Sequence, residues 1–198
     1  MTTPGGRIRS FIAIPVPSAG IQALEDAAAK LDSDFGGSVR WVRPEGIHLT
    51  LKFMGDIQAE MVERVLAALP PVAARFSPFE LSISGLGVFP NPRRPRVLWA
   101  GVRGDLETLS ELQLAVDDAV GKLGLPKEDR RYSPHLTLGR VRRDVPDGQL
   151  RKIGLVMTDC ELPGAPSWTA DTVNLMRTEL APNGSRHFLV GSAFIGGE

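Results

Sequence analysis

Period-two alternation opens the chain. Ile8, Ser10, Ile12 and Ile14 interleave with Arg9, Phe11 and Ala13, and Pro15 and Pro17 end the run, which predicts a strand over Arg7–Val16 with both faces partly buried. The period then lengthens. Ser18 is placed as an N-cap before Ile21, Leu24, Ala28 and Leu31, whose spacing predicts a helix broken by Gly36-Gly37. A short strand over Val39–Val42, a turn at Pro44-Glu45-Gly46 and a strand over Ile47–Met54 closed by Gly55-Asp56 follow. Ile57, Met61, Val65 and Leu69 form a second helical stripe, expected to stop at Pro70-Pro71. Alternation returns in Phe79–Val88 and Arg96–Val102. A long amphipathic helix then runs from Asp105 through Leu109, Leu112, Val116, Val120 and Leu123 to Gly124. A strand at His135–Val141 and a short helix around Leu150, Ile153 and Met157 come next. Thr172–Leu180 and Arg186–Phe194 read as a hairpin turning at Pro182-Asn183-Gly184-Ser185.

The two halves share an order of strands and helices, and they share four residues. His48-Leu49-Thr50-Leu51 recurs as His135-Leu136-Thr137-Leu138. On a strand, His and Thr of each copy take one face and both leucines the other, so each strand buries its leucines and presents an imidazole beside a hydroxyl. The chain has only 3 histidines, and two of them stand in these identical contexts. One such motif in each half predicts a duplicated, two-lobed arrangement within a single domain, residues 1–198, with the motifs facing each other across a cleft.

Composition narrows the setting. At 198 residues, 42% hydrophobic and 23% charged, the chain is globular in type. It offers no run approaching the roughly 20 apolar residues of a membrane span, and its opening residues lack an apolar leader. A soluble, cytoplasmic protein with no membrane association and no obligate protein partner is expected. The single cysteine, Cys160, excludes an intrachain disulfide and a cysteine-based zinc site. Net charge is zero, which argues against a protein that coats long nucleic acid by bulk charge, yet arginines gather at Arg93, Arg94 and Arg96 and at Arg130, Arg131, Arg140, Arg142 and Arg143.

Two histidines near an unperturbed pKa of about 6.5 can give and take a proton in one turnover. In-line displacement at phosphorus needs such a pair on opposite sides of the phosphorus, with donors for the non-bridging oxygens. Thr50 and Thr137 share faces with the histidines and are candidate donors; Arg130 and Arg131 add charge-assisted hydrogen bonds before His135. The proline-stiffened loop Asn91-Pro92-Arg93-Arg94-Pro95 offers Arg94 to an anion at little entropic cost. Alternating His and Thr is a poor ligand set for zinc, and the chain carries no phosphate-binding glycine loop, no Gly-x-Ser-x-Gly elbow and no His-Glu-x-x-His helix. No metal or cofactor is expected. His187, without a twin motif, reads as a structural residue, and Arg142 and Arg143 read as a solvated strand end.

The pair of His-Leu-Thr-Leu motifs resembles the signature of the two-histidine phosphoesterases, in particular the LigT-like branch historically called 2'-5' RNA ligases. The likeness runs nearly end to end, through Arg9–Ile14, Trp41–Pro44, Gly55-Asp56, Arg96–Val102, Arg130–Arg140 including Tyr132 and Pro134, and Asp171–Leu189. Thr178 and His187 stand where the family pattern leads one to expect Ser and Tyr. The resemblance implies a bilobal α+β fold, with antiparallel sheets of the two lobes lining a central cleft and helices outside. It also implies metal-independent hydrolysis of RNA 2',3'-cyclic phosphate ends to 2'-phosphates, with cyclic mononucleotides as further candidate substrates. His48 is then the acid and His135 the base, Tyr132 a substrate contact. The identical motifs do not themselves distinguish acid from base. Ligation through a 2',5' linkage is the reverse reading, and a non-catalytic RNA-end or nucleotide binder the reading from another class.

Overall fold

The two motif strands meet at the centre of one antiparallel sheet. In the computed structural model, residues 6–160, 162, 166–181 and 184–197 are described. The order is β1 (Arg7–Pro15), α1 (Ser18–Phe35), β2 (Val39–Trp41), a 3₁₀ turn Pro44–Gly46, β3 (His48–Gln58), α2 (Ala59–Ala73), β4 (Phe79–Phe89) and β5 (Val97–Gly104). It continues with α3 (Leu106–Lys122), β6 (His135–Val141), α4 (Asp147–Asp159), β7 (Ser167–Ala170), β8 (Thr172–Ala181) and β9 (Gly184–Phe194). Across the sheet the strands lie β7-β4-β5-β6-β3-β1-β8-β9, with β2 also pairing β6.

This order contains an exchange. The run β1-α1-β3-α2-β4 corresponds to β5-α3-β6-α4-β8, but β4 pairs with β5 of the second half and β8 with β1 of the first. Each lobe is therefore completed by a strand from the other half, and the expected duplicated α+β fold is present. The two motif strands share one registered pair, Leu49 opposite Leu136, and β2 of the first half adds three more to β6.

Burial explains the layering. Leu49, Leu51, Leu136 and Leu138 are at most 3% exposed and face the helices, whose stripes include Val65 and Leu69 of α2 and Leu109, Leu112, Val116 and Val120 of α3. The buried apolar residues of both halves form one contiguous cluster. Asp105 caps α3 as its side chain accepts from the Thr108 amide at 3.0 Å, and Gly36 closes α1 in the left-handed region at φ 55°.

Local differences from the sequence reading have physical causes. Ser18 is the first helical residue, with Pro17 at the N-cap and no side-chain cap bond, and Ala27 and Phe35 replace Ala28 in the buried stripe. Gly55 does not end β3: at φ 68° it lets the strand continue past a register shift, so Ile57 is a core residue of β3. Pro70 and Pro71 lie inside α2, which runs on because Val72 and Ala73 are buried and the Ala74 amide reaches the Pro70 carbonyl at 3.0 Å. The four-residue β7, carrying buried Trp168 and Ala170, is too short to announce itself by alternation. Pro182 and Asn183 of the expected hairpin turn lie outside the described residues; its strands pair from Ala181–Gly184 to Thr172–Phe194.

Candidate active site

Both motif strands carry the same irregularity one residue after the threonine. Opposite β1 the register steps from Thr50 to Lys52, skipping Leu51; opposite β5 it steps from Thr137 to Gly139, skipping Leu138. A bulge of this kind lets two successive residues turn toward the core, which is why Leu51 and Lys52 are both buried. Phe53 and Arg140 then return to the same side as the histidines.

Counting outward from Leu49–Leu136 in the antiparallel register, His48 lies opposite Thr137 and Thr50 opposite His135. Each imidazole is thus neighbour to a hydroxyl of its own strand and to one of the partner strand. His48, Thr50 and Thr137 line a cleft of about 270 Å³ together with Phe11, Phe53, Arg9, Trp41 and His187.

The histidines are held from behind by backbone two residues upstream. His135 Nδ1 lies 2.7 Å from the Ser133 carbonyl, and His48 hydrogen-bonds to backbone at Gly46. A carbonyl can only accept, so Nδ1 of His135 donates and a neutral ring presents a bare Nε2. Aromatic rings fix the planes: His48 stacks on Phe11 with centroids 4.3 Å apart, and His135 meets Phe89 edge to face at 5.0 Å.

His187 is the site residue that the sequence reading missed. It meets the His48 ring edge-on at 5.3 Å and Phe11 at 5.1 Å, with Nδ1 3.0 Å from Thr178 Oγ1. Only the pairing of β9 with β8 brings it there, opposite Thr178, and no local pattern announces that. Burial, then the positive charges of His187 and His135, push the pKa of His48 down to about 4, against the pull of the Gly46 hydrogen bond. Burial likewise lowers that of His187, opposed by Glu45.

The lowered value carries a stability prediction. Above about 6.5, the ordinary histidine pKa, neither folded nor unfolded His48 binds a proton. As pH falls from there through 4, the unfolded chain takes up a proton that the folded site refuses, so stability declines by up to about 3 kcal/mol from this group. Urea unfolding of His48→Asn should show a shallower loss between pH 7 and 4.5 than the unsubstituted protein. Equal slopes would contradict the assignment.

The remaining candidates separate. The Tyr132 hydroxyl donates to the Thr50 carbonyl at 3.1 Å, so it ties the approach to β6 onto β3, and burial raises its pKa. Tyr132→Phe should cost about 1 kcal/mol in chemical denaturation, the usual worth of one hydrogen bond. Arg130 and Arg131 are exposed and do not line the cleft; nor does Arg94, whose amide is held by the Asn91 side chain at 3.1 Å. The cleft's cations are Arg9, Arg40, Arg43 and Arg140. Arg9 also lies over the ring of Phe53, 4.7 Å from its centroid, and Phe53 is 49% exposed in the cleft.

Among the described residues, no three His, Cys, Asp or Glu side chains converge on a position that could hold a metal. Nor is any helix among them long and apolar enough to cross a membrane.

An exchanged α+β duplication with two adjacent His-x-Thr strands at its seam is the architecture of the two-histidine phosphoesterases. A family model described as LigT like Phosphoesterase matches residues 14–99 and 103–187, and the chain belongs to that family. It is 34% identical over 181 residues to an RNA 2',3'-cyclic phosphodiesterase of Methanothermobacter thermautotrophicus, covering 90% of this chain and 94% of that one. To the protein of the same name from Archaeoglobus fulgidus it is 36% identical over 140 residues, 71% and 76% of the two chains. The crystal structure of a Thermus thermophilus protein, TT0787, superposes with a TM-score of 0.80 at 26% identity, covering 96% of this chain and all of that one. E. coli LigT, solved with 3'-AMP, shares the fold at a TM-score of 0.72 and 22% identity over 96% and 98%.

Proposed function

We propose that the protein hydrolyses the 2',3'-cyclic phosphate at an RNA end to a 2'-phosphate, using His48 and His135 as acid and base and no metal. The observation that carries this reading is the seam itself, which sets each histidine beside the other motif's threonine. The relatives named above supply the substrate class. Water, stripped of a proton by Nε2 of His135, attacks phosphorus; the bond from phosphorus to O3' breaks; His48 delivers a proton to the departing oxygen. Thr50 and Thr137 donate to the non-bridging oxygens, where charge accumulates in the transition state.

The depressed pKa of His48 makes the acid role conditional on substrate. Burial is the main reason that free His48 is neutral at pH 7, and an anionic phosphate drawn in beside it favours the protonated form. The acid is loaded by the ligand it serves.

The direct test is an RNA oligonucleotide ending in a 2',3'-cyclic phosphate, incubated with the protein after exhaustive EDTA treatment, with the monoester identified by phosphorus NMR. A 2'-phosphate formed at the untreated rate is the expected result. A 3'-phosphate, or turnover lost to EDTA and restored by a divalent ion, would overturn the scheme.

A further inference from the structure

Beside the cleft lies a second concavity of about 880 Å³, lined by Arg40, Arg96, Arg140, Arg142 and Arg143, with Asp144 the one acid in its wall. Arg40 and Arg140 line both spaces, so the two adjoin at this arginine pair.

The arrangement is unfavourable without an occupant. Arg40 of β2 and Arg140 of β6 are direct register partners, so their side chains leave the same side of the sheet at adjacent positions. Val97, next to Arg96, pairs with Arg140 from the other side. Like charges placed directly opposite one another on neighbouring strands destabilise a sheet. The chain has 23 acidic residues, yet none of the ion pairs among the described residues involves these five arginines. Arg142 is tethered, its Nε donating to the Gly37 carbonyl at 2.8 Å, which fixes its position and leaves its charge uncompensated by that bond.

An isolated anion would need only two of these groups. Five guanidinium groups along a groove that adjoins the cleft suit an anion whose charges repeat along a chain. We infer that this groove carries the backbone of the RNA strand leading to the cyclic end, the first phosphodiester between Arg40 and Arg140 and those further from the end on Arg96, Arg142 and Arg143. The inference rests on the function proposed above and narrows its substrate: the protein acts on oligonucleotide ends in preference to cyclic mononucleotides. Arg96 and Arg143, exposed and outside the cleft, serve length recognition.

The test compares a 5'-fluorescein RNA hexamer ending in a 2',3'-cyclic phosphate with 2',3'-cyclic UMP. Wild-type kcat/KM should be at least tenfold higher on the hexamer at low salt. In Arg96→Ala/Arg143→Ala that preference should fall fivefold or more. Anisotropy with His135→Ala protein, which holds the hexamer without turning it over, should show the salt slope of log Kd reduced by about 1.4 when the same two arginines are removed, at about 0.7 per phosphate contact. Arg64→Ala/Arg75→Ala removes equal charge elsewhere and should leave preference and slope intact. Equal rates on hexamer and mononucleotide, or equal slope losses in both double variants, would overturn the groove. Displacement of the hexamer by an acidic hexapeptide at equal concentration would assign the surface to a protein partner and overturn it too. Absence of turnover on both substrates would refute the proposed reaction, while the anisotropy series would still decide whether RNA occupies the groove.

Discussion

His48→Ala and His135→Ala should each lower kcat/KM on a cyclic-phosphate RNA end by about 10² to 10⁴, the usual loss when one member of an acid/base pair is removed. The two losses should not add. With the base gone, the acid has no developing charge to answer, so the double variant should be little worse than either single one. Both proteins should remain folded, since the leucines of each motif are fully buried whereas the histidines are only partly so. His48→Ala also removes the ring stacked on Phe11, and a shift in its thermal midpoint is a separate readout from turnover. Single variants retaining rates within tenfold of the unsubstituted protein would refute catalysis by the pair.

The largest loss of stability is expected at Asp117→Ala. Lys52, the residue after the bulge in β3, is 4% exposed in its side chain and lies with Nζ 2.5 Å from Asp117 Oδ1 of α3 and 2.6 Å from the Pro126 carbonyl. Asp117 also accepts from the Glu128 amide at 3.2 Å, and its neighbour on α3, Gln113, donates to the Leu51 carbonyl at 3.4 Å. Removing the carboxylate strands an ammonium in the core, which costs about 3–5 kcal/mol. The midpoint of thermal unfolding should fall by roughly 10 °C at 2–4 °C per kcal/mol for a chain of this size. Lys52→Met/Asp117→Leu, which removes both charges, should recover most of that loss. A double variant as unstable as Asp117→Ala would place the cost elsewhere than in the stranded charge.

Those contacts show where sequence reasoning stops. The motif strands, their buried leucines and their outward His and Thr were legible because period-two alternation is a local property. The helix ends at Asp105 and Gly36 were legible for the same reason. Lys52 and Asp117 are 65 positions apart and each reads alone as an ordinary surface charge. His187 and the opposition of Arg40 to Arg140 depend on which strands pair, and the exchange of β4 and β8 is invisible to any local window. Gly55 reads as a stop because glycine serves both turns and bulges, and only the partner strand decides between them.

The exchange also sets a timetable for synthesis. A ribosome delivers β1 and β3 early, but the strand that flanks β1 on its other side, β8, emerges only with residues 172–181. Until then the first histidine's half of the sheet has an open, hydrogen-bond-hungry edge, with Phe11 and Ile12 beside it. The second half waits only for the four-residue β7 at its margin, because β4 is made immediately before β5. The nascent chain should therefore order its second lobe first and acquire the complete site around His48 last, which a series of stalled chains probed by limited proteolysis can resolve.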